Sequence, residues 1–175
     1  MVHFIQTQSG VAFNLANPSP DMVDLDDIAT ALSYTVRFNG HTGTSYSVAE
    51  HSVWVSRMCP PEARMHGLMH DAHEAYTGDI VSPLKKLLPG IGAIEARIQK
   101  AIHTRLWITG DCPEVVKEAD VRMLATERLH FFGAASPDWG LTAEPYYNGV
   151  DIKAMSPEVA RLFFLEEFDK VKWGL

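Results

Sequence analysis

Cysteine is scarce: only Cys59 and Cys112 occur in 175 residues. That excludes a disulfide framework and a cysteine-built zinc cluster. Positive charge is also short, with 15 Lys and Arg against 22 Asp and Glu and a formal net charge of -7. A duplex-binding protein usually carries a basic excess, so no nucleic-acid polymer is expected as a partner. A small phosphorylated ligand stays open, because a few cations beside a metal ion can hold phosphate locally. No apolar run approaches the ~20 residues that a bilayer span needs, and the first residues do not read as a signal peptide. No membrane association is expected, and a reducing cytoplasm is the expected compartment. Internal repeats and low-complexity tracts are absent as well.

What is present is an ordinary globular composition, 46% apolar and 21% charged. The length fits one domain over residues 1–175. Near the start, Val11, Phe13 and Leu15 alternate onto one face after His3-Phe4-Ile5 and a Ser9-Gly10 turn, the pattern of a short hairpin. Beyond Pro18-Ser19-Pro20 the period becomes helical. Leu25, Ile28, Ala29, Leu32 and Val36 mark one apolar face, with Asp24 placed to cap it. Ser47-Val48-Ala49-Glu50 reads as a capping box, so a helix starts there and carries His51. The next helix is expected from Pro61 to about Gly78, through Leu68, Met69, Ala72 and Ala75. A short helix follows Ser82-Pro83, an amphipathic one carries Ile94, Ile98, Ile102 and Leu106, and another runs from Cys112-Pro113 through Asp120 to about Phe131. Residues 133–149 read as loop, and Ser156-Pro157 opens a last helix. The expected class is all-α with a small β element in front.

The eight histidines are uneven, and His66, His70 and His73 fall in one short stretch. His66 and His70 are four apart, but Gly67 stands where a zinc-protease pair needs glutamate. The informative dipeptide is His70-Asp71. Adjacent helical residues point about 100° apart, so both cannot face one core, yet both can grip an ion at the helix edge. Imidazole with carboxylate suits Zn, Mn, Fe or Co. Two donors are too few, and the natural additions on neighbouring helices are His51, 19 residues upstream of His70, and Asp120, 49 downstream of Asp71. His66 and His73 are expected at the surface or behind the site. Trp54, Trp107, Phe131, Phe132 and Phe163 are expected in the core.

In this order, His51, His70-Asp71 and Asp120 resemble the H…HD…D pattern of the HD-domain metal-dependent phosphohydrolases. Val48-Ala49-Glu50-His51-Ser52 looks like that family's first-histidine helix. The block His70-Asp71-Ala72-His73-Glu74-Ala75-Tyr76-Thr77-Gly78-Asp79 is similar to the HDxxE…GD block of the nucleotidase branch, which includes bacterial 5′-deoxynucleotidases and phage deoxynucleoside-triphosphate hydrolases. Glu118-Ala119-Asp120 resembles the third block, and the likeness covers roughly residues 30 to 130.

The resemblance implies an HD-domain helical fold behind the hairpin, with His51, His70, Asp71 and Asp120 holding a divalent metal (Zn, Co, Mn or Mg). Such an ion neutralises phosphate charge and lowers the pKa of bound water toward ~7. Glu74 is the expected general acid/base, and Asp79 is expected to meet a sugar hydroxyl or orient water. Arg37 takes the place where relatives carry an Arg-Trp pair, with Phe38 as the second member. Lys85 and Lys117 are candidate phosphate partners, Lys117 pointing into the same cleft as Asp120, and Pro83 is a candidate pocket wall. The expected activity is hydrolysis of a deoxynucleoside triphosphate, dATP being one candidate, by a metal-activated water. The alternatives are a 5′-nucleotidase acting on monophosphates and a non-catalytic nucleotide-binding module. A helical assembly protein is the remaining class, and it predicts that removing His70 and Asp71 changes nothing. A small-molecule nucleotide partner, a homo-oligomer (dimer or hexamer) and a cytoplasmic location, the host's for a phage-borne chain, complete the expectations.

Overall fold

A computed structural model describes residues 3–174. Among them the chain is mostly helical behind one two-stranded antiparallel sheet, as the periodicity predicts. Strands β1 (Phe4–Gln6) and β2 (Ala12–Asn14) pair with Ile5 opposite Phe13. Phe13 is fully buried and stacks on Tyr76, ring centroids 3.7 Å apart, which fastens the hairpin over the helices. Ser9 adds a polar clamp, donating its backbone N–H and its hydroxyl to the buried Asp27 carboxylate at 2.9 and 2.6 Å.

Helix α1 (Leu25–Tyr34) starts where the Asp24 carboxylate accepts the N–H groups of Asp26 and Asp27. It ends before Val36, which instead forms a β-bridge to Ser47. Helix α2 (Val48–Met58) is the centre of the molecule. Every residue from Val48 to Ser56 is buried, and the helix packs against α1 and three later helices: α3 (Arg64–Met69), α7 (Glu114–Phe132) and α8 (Pro157–Trp173). A helix buried on all sides must find a partner for each polar side chain it carries. Ser47 caps the Glu50 N–H at 3.2 Å, one half of the predicted capping box. Glu50 does not reach back. It is buried and accepts the backbone N–H groups of Lys153 and Met155 at 2.7 and 2.8 Å, tying down the chain that leads into α8.

The predicted helix from Pro61 to Gly78 is broken. After α3 the chain makes a turn through His70–His73 and resumes as the short α4 (Glu74–Thr77), followed by α5 (Ser82–Lys85) and α6 (Ile91–Leu106). Two further expectations change. Trp107 is not core: it terminates α6 with φ of 58° and is 82% exposed. His66 is buried and sits against the Thr109 carbonyl at 3.2 Å. The apolar core joins Phe13, Leu32, Val53, Leu68, Ile102 and Phe164, and a second cluster around Trp54, Met123 and Ile152 lies between α2 and α7. No helix among the described residues is long and apolar enough to cross a membrane.

Candidate metal centre

Three segments bring His51, His70, Asp71 and Asp120 together. His51 Nε2 lies 3.3 Å from His70 Nε2 and 3.2 Å from Asp120 Oδ1. Asp71 Oδ2 lies 3.1 Å from His70 Nε2 and 3.9 Å from His51 Nε2. One donor atom each from His51, His70 and Asp120 falls within 4.8 Å of the others. Side-chain exposure rises across the cluster from 0% at His51 to 21% at Asp71 and 37% at Asp120, so one side opens to solvent.

His70 and Asp71 lie just past α3, where the backbone stays right-handed (His70 φ −62°, ψ −37°) but the His73 N–H leaves the helical ladder for Gln99, and both side chains reach the edge of one centre. Gly67 makes the approach possible. A Cβ there would stand 3.0 Å from both Cys59 Sγ and Ser56 Cα, so a side chain would push α3 off α2. The Gly67 carbonyl also accepts from His70 Nδ1 at 2.8 Å. At α4's end, Gly78 adopts φ of 75°, turning the chain toward Asp79.

Behind His51 stands Glu127, fully buried and not foreseen from the sequence. Its Oε1 accepts from His51 Nδ1 at 2.5 Å and from the Tyr46 hydroxyl at 2.7 Å. Its Oε2 accepts from Arg37 Nε and Nη2 at 3.2 and 2.7 Å. A carboxylate and a carbonyl are acceptors only, so both Nδ1 atoms carry hydrogen, and the two Nε2 atoms face each other with Asp71 and Asp120 alongside. Fixing a ligand histidine through its other nitrogen is the usual support of a metal site. Glu127 lies seven residues after Asp120, two helical turns along the same face, which is the signal that could have found it.

The electrostatics agree with the geometry. Burial disfavours a charged His70 ring, yet Asp71 and Asp120 outweigh it and hold its pKa well above the ordinary histidine value. His51 is raised too: Glu127 and Asp120 overcome burial and the Arg37 charge. Asp71 and Asp120 are held low despite burial, by His70 and His51. The four groups demand positive charge between them, from protons or from an ion. Two imidazoles and two carboxylates fit a borderline divalent cation such as Zn, Co or Mn.

The remaining predicted residues divide. Glu74 is buried, its Oε2 without a hydrogen-bond partner among the described residues and its Oε1 3.4 Å from Lys85 Nζ. Burial, with Asp71 and Asp79 adding to it, pushes its carboxyl up to about 9. Asp79 is half-buried, and burial raises its pKa with Asp71 against the pull of Arg37, His51 and Lys85. Lys85 also reaches Glu95 at 3.1 Å. Arg37 is buried and commits two of its nitrogens to Glu127. Phe38 is half-buried against Phe132 and Trp139, in a left-handed conformation with φ of 53° that the next residue, Asn39, repeats. The structure does not bring two of the predicted residues to the cluster. Lys117 is a solvent-facing lysine beside Glu114 at 3.7 Å, its ammonium kept in water at the end of a long stem. Pro83 is exposed at the first turn of α5. Two surface clefts, one along α1 and α8 and one beside Arg57 and Arg64, include no cluster residue.

Against known proteins, the chain is 37% identical over 170 residues to the uncharacterized protein YfdR of Escherichia coli (strain K12), covering 95% of this chain and 94% of that one. The chain belongs to the YfdR family. The uncharacterized protein RCAP_rcc00048 of Rhodobacter capsulatus is 29% identical over 174 residues, 89% of each chain. No family model matches the chain. Neither relative's name carries an activity, so the chemistry is argued from the site.

Proposed function

We propose that this chain is a metal-dependent phosphohydrolase of HD-domain type acting on nucleotides, with deoxynucleoside triphosphates, dATP among them, as the first substrates to test. One observation carries the reading: a buried imidazole, His51, and a nearly buried one, His70, each locked through Nδ1, face each other through Nε2 at 3.3 Å with Asp71 and Asp120 alongside. Two carboxylates brought out of water around two imidazoles are costly unless positive charge, on protons or on a cation, lies among them. When bound, a divalent ion supplies positive charge to phosphate oxygens and acidifies the water that attacks phosphorus.

The chain's own residues supply the rest. Glu127 and the Gly67 carbonyl fix the two rings, so the donors need no reorganisation when substrate arrives. Glu74 keeps its proton at neutral pH and can give it to the leaving oxygen. Lys85, 27% exposed at its side chain, meets phosphate by exchanging its contacts with Glu74 and Glu95 for phosphate oxygens. Arg37 retains one nitrogen outside its pair with Glu127, and Asp79 offers an acceptor to a sugar hydroxyl.

A 5′-nucleotidase acting on monophosphates is the second reading, and the short supply of cations favours it. Lys85 and Arg37 adjoin the cluster, and Arg37 is largely committed to Glu127. The test is product release from dNMP and dNTP panels with Zn, Co, Mn or Mg added. Inorganic triphosphate from a dNTP supports the first reading, and orthophosphate from a dNMP alone supports the second. Binding without release from any member defeats both in favour of a nucleotide-binding module.

A further inference from the structure

We propose that the protein carries a second cation site, formed by Asp71, His73 and Glu74. The three side chains each offer a donor atom, and these atoms lie within 4.8 Å of one another. Proximity of acidic groups would mean little alone. Here two atoms, His73 Nε2 and Glu74 Oε2, are buried with no hydrogen-bond partner among the described residues, on side chains of residues 8% and 3% exposed. A buried polar atom left unpaired is expensive, about 1–3 kcal/mol, and its persistence at two neighbouring positions needs a reason.

The tautomer of His73 supplies that reason. Gln99 donates its Nε2 to the Met69 carbonyl at 2.6 Å, which turns its Oε1 to the His73 backbone N–H at 3.2 Å and to His73 Nδ1 at 3.3 Å. The Nδ1 atom therefore carries the hydrogen, and Nε2 presents a lone pair. That lone pair faces Glu95 Oε1 at 3.7 Å, an acceptor facing an acceptor. The same logic that calls for a cation in the first centre calls for one here. Asp71 belongs to both groups, because one of its oxygens already faces His70 and it has a second.

Lys85 sets the strength of the site. Its ammonium lies 3.4 Å from Glu74 Oε1 and 3.1 Å from Glu95 Oε1, so it already neutralises part of this pocket and repels an incoming ion. The second ion is the weaker. It also takes as ligand the carboxyl that moves a proton in the proposed reaction, so filling this site stops turnover. That consequence rests on the hydrolase reading, whereas the site itself does not. Activity should rise with the first equivalent of metal and fall with the second.

The experiment is titration of chelator-stripped wild-type protein with Mn²⁺, followed by calorimetry and by electron paramagnetic resonance. Two ions per chain are expected, the second at least tenfold weaker, with a spin-coupled signal at two equivalents because Asp71 is shared. His73→Asn should bind one ion with unchanged first-site affinity and lose the coupled signal. Lys85→Met should tighten the second site several-fold. Wild type saturating at one ion overturns the proposal without reference to any variant, and so does a folded His73→Asn that still gives the coupled signal. Two ions without turnover on any nucleotide sinks the hydrolase reading and leaves this site standing. Turnover with a single ion, undiminished by excess metal, does the reverse.

Discussion

On the α2–α7 side of the centre, Glu127 accepts from Arg37, Tyr46 and His51 and leaves neither of its oxygens idle. On the α4–α6 side, His73 and Glu74 each end on a buried atom with no hydrogen-bond partner among the described residues, beside a lysine shared between two carboxylates. Both halves are buried and both are charged. They differ in completeness, and the difference separates a scaffold that fixes His51 from a pocket left with unsatisfied polar atoms. Completed networks rigidify, while incomplete ones are strained toward whatever fills them.

Glu74→Gln should widen that contrast most. It removes the proton donor while leaving the first ion's ligands intact, so turnover should fall by about 10²–10⁴-fold with the affinity for that ion nearly unchanged. The same change should stabilise the ion-free protein. Glu74 keeps its proton when folded up to about 9 but releases it near the ordinary glutamate value of 4.5 when unfolded. Its contribution to stability is therefore full below that lower value and is lost as pH rises toward the upper one. Denaturant titrations across pH 5 to 9 should show wild type weakening relative to Glu74→Gln.

Breaking the completed half comes next. Glu127→Ala leaves the buried Arg37 guanidinium unpaired and His51 unheld. Removing one partner of a buried pair costs about 3–5 kcal/mol, visible as a lower urea midpoint, and metal affinity should drop by about 10–100-fold. Gly67→Ala tests the helix approach that lets His70 meet His51. The tight contact with Ser56 and Cys59 should cost about 1–3 kcal/mol in unfolding free energy, and metal binding should weaken with it.

The smallest effect is a control outside the centre. Asp27 is a satisfied carboxylate whose pKa, against the effect of burial, is held below 3.8 by the Ser9 and Thr7 hydroxyls and the Ser9 amide. Its contribution is present above that value and lost as pH falls through the folded-state pKa. Asp27→Asn should cost about 1 kcal/mol near neutral pH, with the difference shrinking in acid by the same unfolding assay.

Much of this architecture was legible in the sequence because its signals are local. Asp24, Ser47 and Ser156 each cap the helix that the periodicity announces, and the hairpin register follows from its alternation. The cluster of His51, His70, Asp71 and Asp120 was legible as a spacing along the chain. What escaped is the work of distant partners. The turn at His70–His73 has helix-compatible residues, and it breaks the helix through contacts with Gly67 and with Gln99, 26 residues beyond His73. Glu127 looks like a surface charge until Arg37, Tyr46 and His51 arrive from 76 to 90 residues away. Lys117 and Pro83 were placed by analogy of position, and side-chain direction took both to solvent.

The most direct test of the central claim is anomalous diffraction from crystals grown with Mn²⁺ or Zn²⁺. The account predicts a strong peak about 2.0–2.2 Å from His51 Nε2, His70 Nε2 and a carboxylate oxygen of each of Asp71 and Asp120, and its loss in His70→Ala. A peak that ignores these four side chains, or one that survives the His70→Ala change undiminished, would contradict it.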